Sequence, residues 1–207
     1  MVFSDWLLKL DHDLFFRVNG LSAWEPVAET AALLSDFGRY AVVLAAALFL
    51  AMDGWPAFKK RALAFLLIAP LALAVNAGVK EAVARQRPLG HFRKAVRQQE
   101  VTIVAVESMS KRSFPSGHTT LAFFALGYVA LMKRRQAAGV LALAAAISWS
   151  RMAMGSHFPS DCAAGAILGL FWAWTAWRLF HYLEHAAWIK RDTTAPLGSG
   201  SGSCSAS

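Results

Sequence analysis

Charge is what this chain is short of. Only 16% of its 207 residues are Asp, Glu, Lys or Arg, against roughly 25% in soluble domains. Cysteine is nearly absent: Cys162 and Cys204 cannot build a disulfide framework and have no metal-ligand spacing. No basic arm interleaved with aromatics occurs, so the net charge of +8 does not point to nucleic acid. The first residues have neither a positive start nor a small-residue cleavage site, so they do not read as a signal peptide. No internal repeat is evident.

What remains is apolar. The chain is 57% hydrophobic, with eight Trp and fourteen Phe and a mean hydropathy of +0.41. That composition predicts an all-α, polytopic membrane helix bundle, read as a single domain over residues 1–191. Residues 1–20 place Trp6, Leu7, Leu10, Leu14 and Phe15 near one helical face with charges between. This is the pattern of a helix lying in the membrane surface, and Asn19-Gly20 then reads as a turn. About five spans follow, over Pro26–Met52, Ala62–Val79, Ser113–Met132, Ala137–Ser148 and Cys162–Phe180. In the first, Asp36 and Arg39 are spaced to pair. In the last, Ala163, Ala164, Gly165 and Gly169 suit close helix packing. Residues 89–114 form a long basic outer loop with an apolar, β-prone patch from Val101 to Val106. Residues 192–207 read as a flexible tail.

Polar residues concentrate at the span ends, in three blocks. The second span runs into Lys80-x6-Arg87-Pro88; a seven-residue spacing puts both cations on one helical face, with Pro88 ending the helix. Such a pair suits an anionic ligand, although basic clusters also anchor helix ends by snorkelling. The third span opens with Pro115-Ser116-Gly117-His118. A helix entrance of this kind presents unpaired N–H groups to an anion, Gly117 allows close approach, the Ser116 hydroxyl can donate, and His118 is placed to protonate a leaving group. The fourth span ends in Ser150-Arg151-x5-His157-x3-Asp161. With Pro159 in the first turn of the next helix, Asp161 lies one turn in and can fix the His157 tautomer, leaving the other ring nitrogen as a nucleophile. Arg151 adds a permanent cation. A plain helix–helix connection would also use polar residues and a proline.

Together and in this order, the three blocks resemble the signature of the type 2 phosphatidic acid phosphatase superfamily, whose members include membrane lipid phosphatases, soluble acid phosphatases and vanadium haloperoxidases. The resemblance implies a phosphohistidine formed on His157, with Asp161 orienting the ring and His118 serving as proton donor and then as base. It implies phosphate binding by Lys80, Arg87, Ser116, Gly117 and Arg151, with no metal and no cofactor. Many membrane members have six spans, one more than these five. Leu14-Phe15-Phe16-Arg17-Val18-Asn19-Gly20-Leu21 is similar to the N-terminal region of bacterial undecaprenyl-diphosphate phosphatases, which makes undecaprenyl diphosphate the leading substrate. Phosphatidic acid, phosphatidylglycerol phosphate and lipid A phosphates are the alternatives. A transporter or structural bundle would explain the spans but needs none of the three blocks. Lys59-Lys60-Arg61, Lys133-Arg134-Arg135 and the segment from Arg178 to Arg191 share one side in a five-span chain. The positive-inside rule makes that side cytoplasmic and puts the three blocks on the outer face of a bacterial inner membrane. The expected partners are a lipid phosphate substrate and membrane lipids; the sequence does not address oligomeric state.

Overall fold

The computed structural model describes residues 2–36, 38–103 and 112–194. All regular structure among them is helical: α1 (Val2–Gly20), a 3-10 turn (Leu21–Ala23), α2 (Glu25–Asp36), α3 (Gly38–Ala51), α4 (Trp55–Val83), α5 (Pro88–His91), α6 (Arg93–Arg97), α7 (Gly117–Met132), a second 3-10 turn (Arg134–Gln136), α8 (Ala137–Ala153) and α9 (Pro159–Thr194).

Helix α7 is the axis of the bundle. It is apolar all round, the pattern of a helix enclosed by others, and Ala122, Phe124, Ala125, Leu126, Tyr128 and Val129 are all buried. Its tightest neighbour is α9. A side chain on Gly169 would stand 2.6 Å from the Thr120 carbonyl oxygen, and one on Gly165 would stand 2.8 Å from that of Ser116. These two glycines let the backbones meet directly under the Pro-Ser-Gly turn. Ala163, expected in the same contact, is exposed instead, because it falls off the face that Gly165 and Gly169 share. The outer surface is also apolar, with Leu44, Leu66, Leu73, Ile167 and Trp174 more than half exposed; so much open hydrocarbon is a lipid-facing surface.

Several expected boundaries move. Two stretches, Trp55–Arg97 and Pro159–Ala186, are long and apolar enough to cross a membrane. The first expected span is two helices, Glu25–Ser35 and Tyr40–Ala51, bent by 59°; read as one span they make a third. Gly117–Met132 is apolar but shorter. Length and composition thus account for two or three crossings. The Asp36 and Arg39 side chains lie outside what is described, as do residues 104–111, which hold most of the β-prone patch, and 195–207 of the tail. Residues 192–194 continue α9 instead of joining the tail.

Helix α1 is not wholly on the surface of the bundle. Trp6, Leu7, Leu10 and Leu14 are exposed, but Phe15 is fully buried among Val101, Phe158 and Phe92. Asn19-Gly20 is the end of the helix and not a turn. The Asn19 amide is spent on tertiary bonds: Nδ2 donates to Thr102 O and to Ala153 O, both at 2.8 Å, and Oδ1 accepts from Thr102 N at 2.9 Å. Ala153 O is a terminal carbonyl that α8 leaves unsatisfied, and the Ser22 hydroxyl also donates to it.

Candidate active site

The three polar blocks reach one place by three different chain terminations. Helix α4 ends at Val83, where Ala84 turns left-handed (φ 44°) and its N–H bonds to Lys80 O at 3.0 Å. Arg87 therefore does not share a helical face with Lys80. It stands beyond the helix in extended geometry, φ −76° and ψ 161°, as the following proline demands. Pro88 opens the short helix α5; it does not close α4. The two cations still lie near enough for their charges to act on each other, on Arg151 and on Asp161.

Helix α8 ends in a Schellman cap. Gly155 N–H bonds to Met152 O at 3.0 Å and Ser156 N–H to Arg151 O at 3.0 Å, with Gly155 at φ +73°, the left-handed position that favours glycine. A Cβ there would also lie 2.8 Å from Thr102 O. The His157 N–H bonds to Arg151 O as well, at 3.2 Å, so the cap sets Arg151 and His157 side by side. Arg151 is 1% exposed, and its guanidinium donates to the hydroxyl of Ser35 on α2.

Helix α9 then starts at Pro159, as the spacing predicts, and Asp161 bonds back to the Phe158 N–H at 2.9 Å, half of a capping box. The same carboxylate oxygen, Oδ2, lies 3.6 Å from His157 Nδ1. Between them stands Ser113: its hydroxyl donates to Asp161 Oδ2 and sits 3.4 Å from His157 Nδ1. Both His157 and Asp161 are buried. Burial draws the His157 imidazole down to about 4, against the raising pull of the Asp161 hydrogen bond; Arg151 and Arg87 lower it further.

The Pro-Ser-Gly turn is pinned to this pair through backbone. Ser116 N–H bonds to Asp161 O at 3.0 Å, and Ser113 N–H to Arg85 O at 2.9 Å. Ser116 is fully buried, and its hydroxyl oxygen accepts from Thr119 Oγ1 at 3.0 Å. Gly117 is the first residue of α7 and His118 the second, both half-buried. A Cβ on Gly117 would stand 3.6 Å from Asn76 Nδ2 and 3.8 Å from Lys80 Nζ, so the amino group lies over the helix entrance. Lys80 Nζ also donates to Arg112 O at 3.5 Å. The arrangement gathers three cations and a helix N-terminus near a buried imidazole, a set of groups that can hold an anion.

Sequence reasoning missed four residues here. Ser113 and Arg85 touch Asp161, Ser35 touches Arg151, and Asp11 of α1 touches Arg85 at 2.7 Å. Arg85 and Ser113 sit within or beside the polar blocks, a signal that could have raised them. Nothing local marks Asp11, which is separated from Arg85 by 74 positions. In the outer loop, Arg112 pairs with Glu81 at 2.9 Å, Arg93, Lys94 and Arg97 lie on α6, and Lys111 falls outside the described residues.

The model of the PAP2 superfamily matches residues 61–185. Among curated proteins the chain is 42% identical over 79 residues to the bacitracin transport permease protein BcrC of Bacillus licheniformis, which covers 36% of this chain and 38% of that one. It is 32% identical over 74 residues to the putative undecaprenyl-diphosphatase YbjG of Escherichia coli, 35% of this chain and 37% of that one. To decaprenylphosphoryl-5-phosphoribose phosphatase of Mycobacterium tuberculosis it is 34% identical over 146 residues, 68% of this chain and 73% of that one. The chain thus spans under two-fifths of the first two relatives and nearly three-quarters of the third. Among solved structures, the transmembrane PAP2-type phosphatidylglycerolphosphate phosphatase of Bacillus subtilis superposes with a TM-score of 0.59 at 19% identity, covering 87% of each chain; this shows a shared fold.

Proposed function

The chain belongs to the PAP2 superfamily, and on that premise we propose that it hydrolyses a phosphate ester or anhydride of a membrane lipid. The observation that carries this reading is the buried His157–Asp161 pair beside Lys80, Arg87 and Arg151. His157 Nε2 attacks phosphorus, since Nδ1 faces Ser113 and Asp161. The P–O bond to the leaving group breaks as the P–N bond forms, and His118 gives its proton to the departing oxygen. His118 then takes a proton from the water that cleaves the phosphohistidine. Lys80, Arg87, Arg151, the Ser116 hydroxyl and the Gly117 N–H hold the equatorial oxygens, whose charge must be stabilised in the transition state. These donors supply the positive charge that a metal would otherwise bring, so activity is expected to survive a strong chelator.

The substrate we favour is undecaprenyl diphosphate. Arg93, Lys94 and Arg97 on α6 add charge beyond what one monoester needs, and two relatives are named for polyprenyl phosphates. Phosphatidic acid, phosphatidylglycerol phosphate and lipid A phosphates are the competing substrates. Phosphate release by the detergent-purified protein, measured over that panel beside His157→Ala, tests the reading. Turnover by the wild type and none by the variant is expected. A much faster rate on phosphatidylglycerol phosphate than on undecaprenyl diphosphate would discard the substrate, and equal release by both proteins would discard the mechanism. About five crossings, with the site on the outer face, complete the proposal. Glu100→Cys should react with an impermeant thiol reagent on intact cells; reaction only after permeabilisation reverses the orientation.

A further inference from the structure

Helix α1 carries more than an exposed apolar face. Asp11 is 7% exposed and bonds to two elements at once. It accepts from the Ser160 N–H at 2.8 Å and the Ser160 hydroxyl at 2.7 Å, and it pairs with Arg85 Nη2 at 2.7 Å. The Ser160 N–H is one of the donors that α9 cannot satisfy within its own first turn. The other arm of the guanidinium, Nη1, donates to Asp161 Oδ1 at 2.7 Å and to Ser160 Oγ at 2.6 Å. Its carbon lies 4.2 Å from the centre of the Phe158 ring, a stacking contact. Every atom of the Asp161 carboxylate is therefore assigned. Oδ1 belongs to Arg85, while Oδ2 takes Ser113 and the Phe158 N–H and faces His157.

A carboxylate held at one oxygen alone can swing about its terminal torsion, which is broad. Asp161 needs Oδ2 kept toward His157; Ser113 and the Phe158 N–H hold that oxygen, and Arg85 holds the other one from the far side. Lysine offers a point charge in place of a planar fork and cannot span Asp161 and Asp11 in the same way. We propose that Arg85 is a positioning residue for the His157–Asp161 pair, and that Asp11 of α1 holds Arg85 in place. This rests on the reading of His157 and Asp161 given above. It makes the N-terminal helix part of the catalytic unit, not only an anchor to the membrane surface.

The test compares kcat and KM of the full-length protein with those of Arg85→Gln, Arg85→Lys, Asp11→Asn, Asp161→Asn and the double variants. Arg85→Gln should lower kcat on the order of 10–100-fold, as loss of a supporting shell typically does, with KM nearly unchanged. Arg85→Lys should recover only part of the loss, and Asp11→Asn should fall less than Arg85→Gln. In the Asp161→Asn background Arg85→Gln should cost little more, because residues acting through one another are not additive. A full additional loss there, or a raised KM with kcat preserved, overturns the proposal. Should Arg85→Gln fail to fold, Asp11→Asn alone and with Asp161→Asn decides by the same criterion. Wild-type protein no more active than His157→Ala would instead sink the phosphatase reading, a result distinct from either outcome.

Discussion

Two clusters of arginine and carboxylate tie this bundle together, one beside the candidate site and one at the opposite end of α4 and α7. Near the site, Arg85 bridges Asp11 and Asp161, whose side chains are 8% and 0% exposed. At the other end, Asp53 between α3 and α4 accepts from Arg61 and from Lys133, the latter at 2.8 Å, with its carboxylate 44% exposed. The pairing chemistry is the same and the consequence differs. A wet carboxylate can trade a lost partner for water, so such a pair contributes little. A buried one cannot, and removing its partner leaves an uncompensated charge in low dielectric. The site end therefore tolerates the loss of a partner less than the far end does.

The largest expected contrast lies in turnover. Asp161→Asn should lower kcat on the order of 10²–10⁴-fold, as loss of the orienting acid does in comparable triads, and Asp53→Asn should leave kcat within about twofold, as surface substitutions do. Phosphate release by the two variants under one set of conditions checks this; comparable losses would erase the distinction between the ends.

The glycines differ in the space around them. A methyl group on Gly117 meets only ordinary contacts at 3.6 Å and beyond, so Gly117→Ala should melt close to wild type yet lose activity where the phosphate approaches. Gly169→Ala drives a Cβ to 2.6 Å from Thr120 O and should cost roughly 1–3 kcal/mol, the usual penalty of overpacking. Thermal melts and turnover of both variants in the same detergent read this out. A Gly117→Ala variant of undiminished activity would move the phosphate away from the α7 entrance.

The smallest contrast is in acid sensitivity. The folded His157 titrates near 4, below its ordinary 6.5, so between those values the unfolded chain binds a proton that the folded chain does not. Stability then falls as pH drops from 6.5 toward 4. Asp53 is displaced in the same direction, and so also loses stability as pH falls, but in a lower pH window. Hydrogen bonds from Lys133 and then Arg61 hold it below its ordinary 3.8, so its contribution is intact above 3.8 and fades only as pH falls through the lower, folded value. Melting temperatures taken from pH 7 to 5 should decline less in His157→Asn than in wild type, while Asp53→Asn should run parallel to wild type over that range. A parallel course for His157→Asn would mean that this histidine is not buried as a neutral ring.

How much of this was legible in the sequence differs between the ends of each block. His157, Pro159 and Asp161 were readable because a proline at the first helical position and a residue one turn later are local events, fixed by backbone sterics and helical rise. The Gly165–Gly169 seam was readable for the same reason. Helical periodicity puts Lys80 and Arg87 on one face only if the helix runs on through a stretch that the left-handed Ala84 interrupts, and the extended geometry before Pro88 is the local sign against it. Asn19-Gly20 looks like a turn, but two backbone carbonyls and one N–H from distant segments claim its amide, and the helix continues to meet them.

By itself, the sequence determined an all-helical, membrane-compatible chain with three polar blocks at its helix ends, because composition and short-range spacing depend on residues that are neighbours along the backbone. Only the tertiary structure decided what those blocks lean on: Ser35 against Arg151, Ser113 between His157 and Asp161, and Asp11 reaching across to Arg85. Those bonds follow from burial. Once apolar packing excludes water from a charged group, that group takes whatever partner the fold brings within reach, and no periodicity records which one it will be.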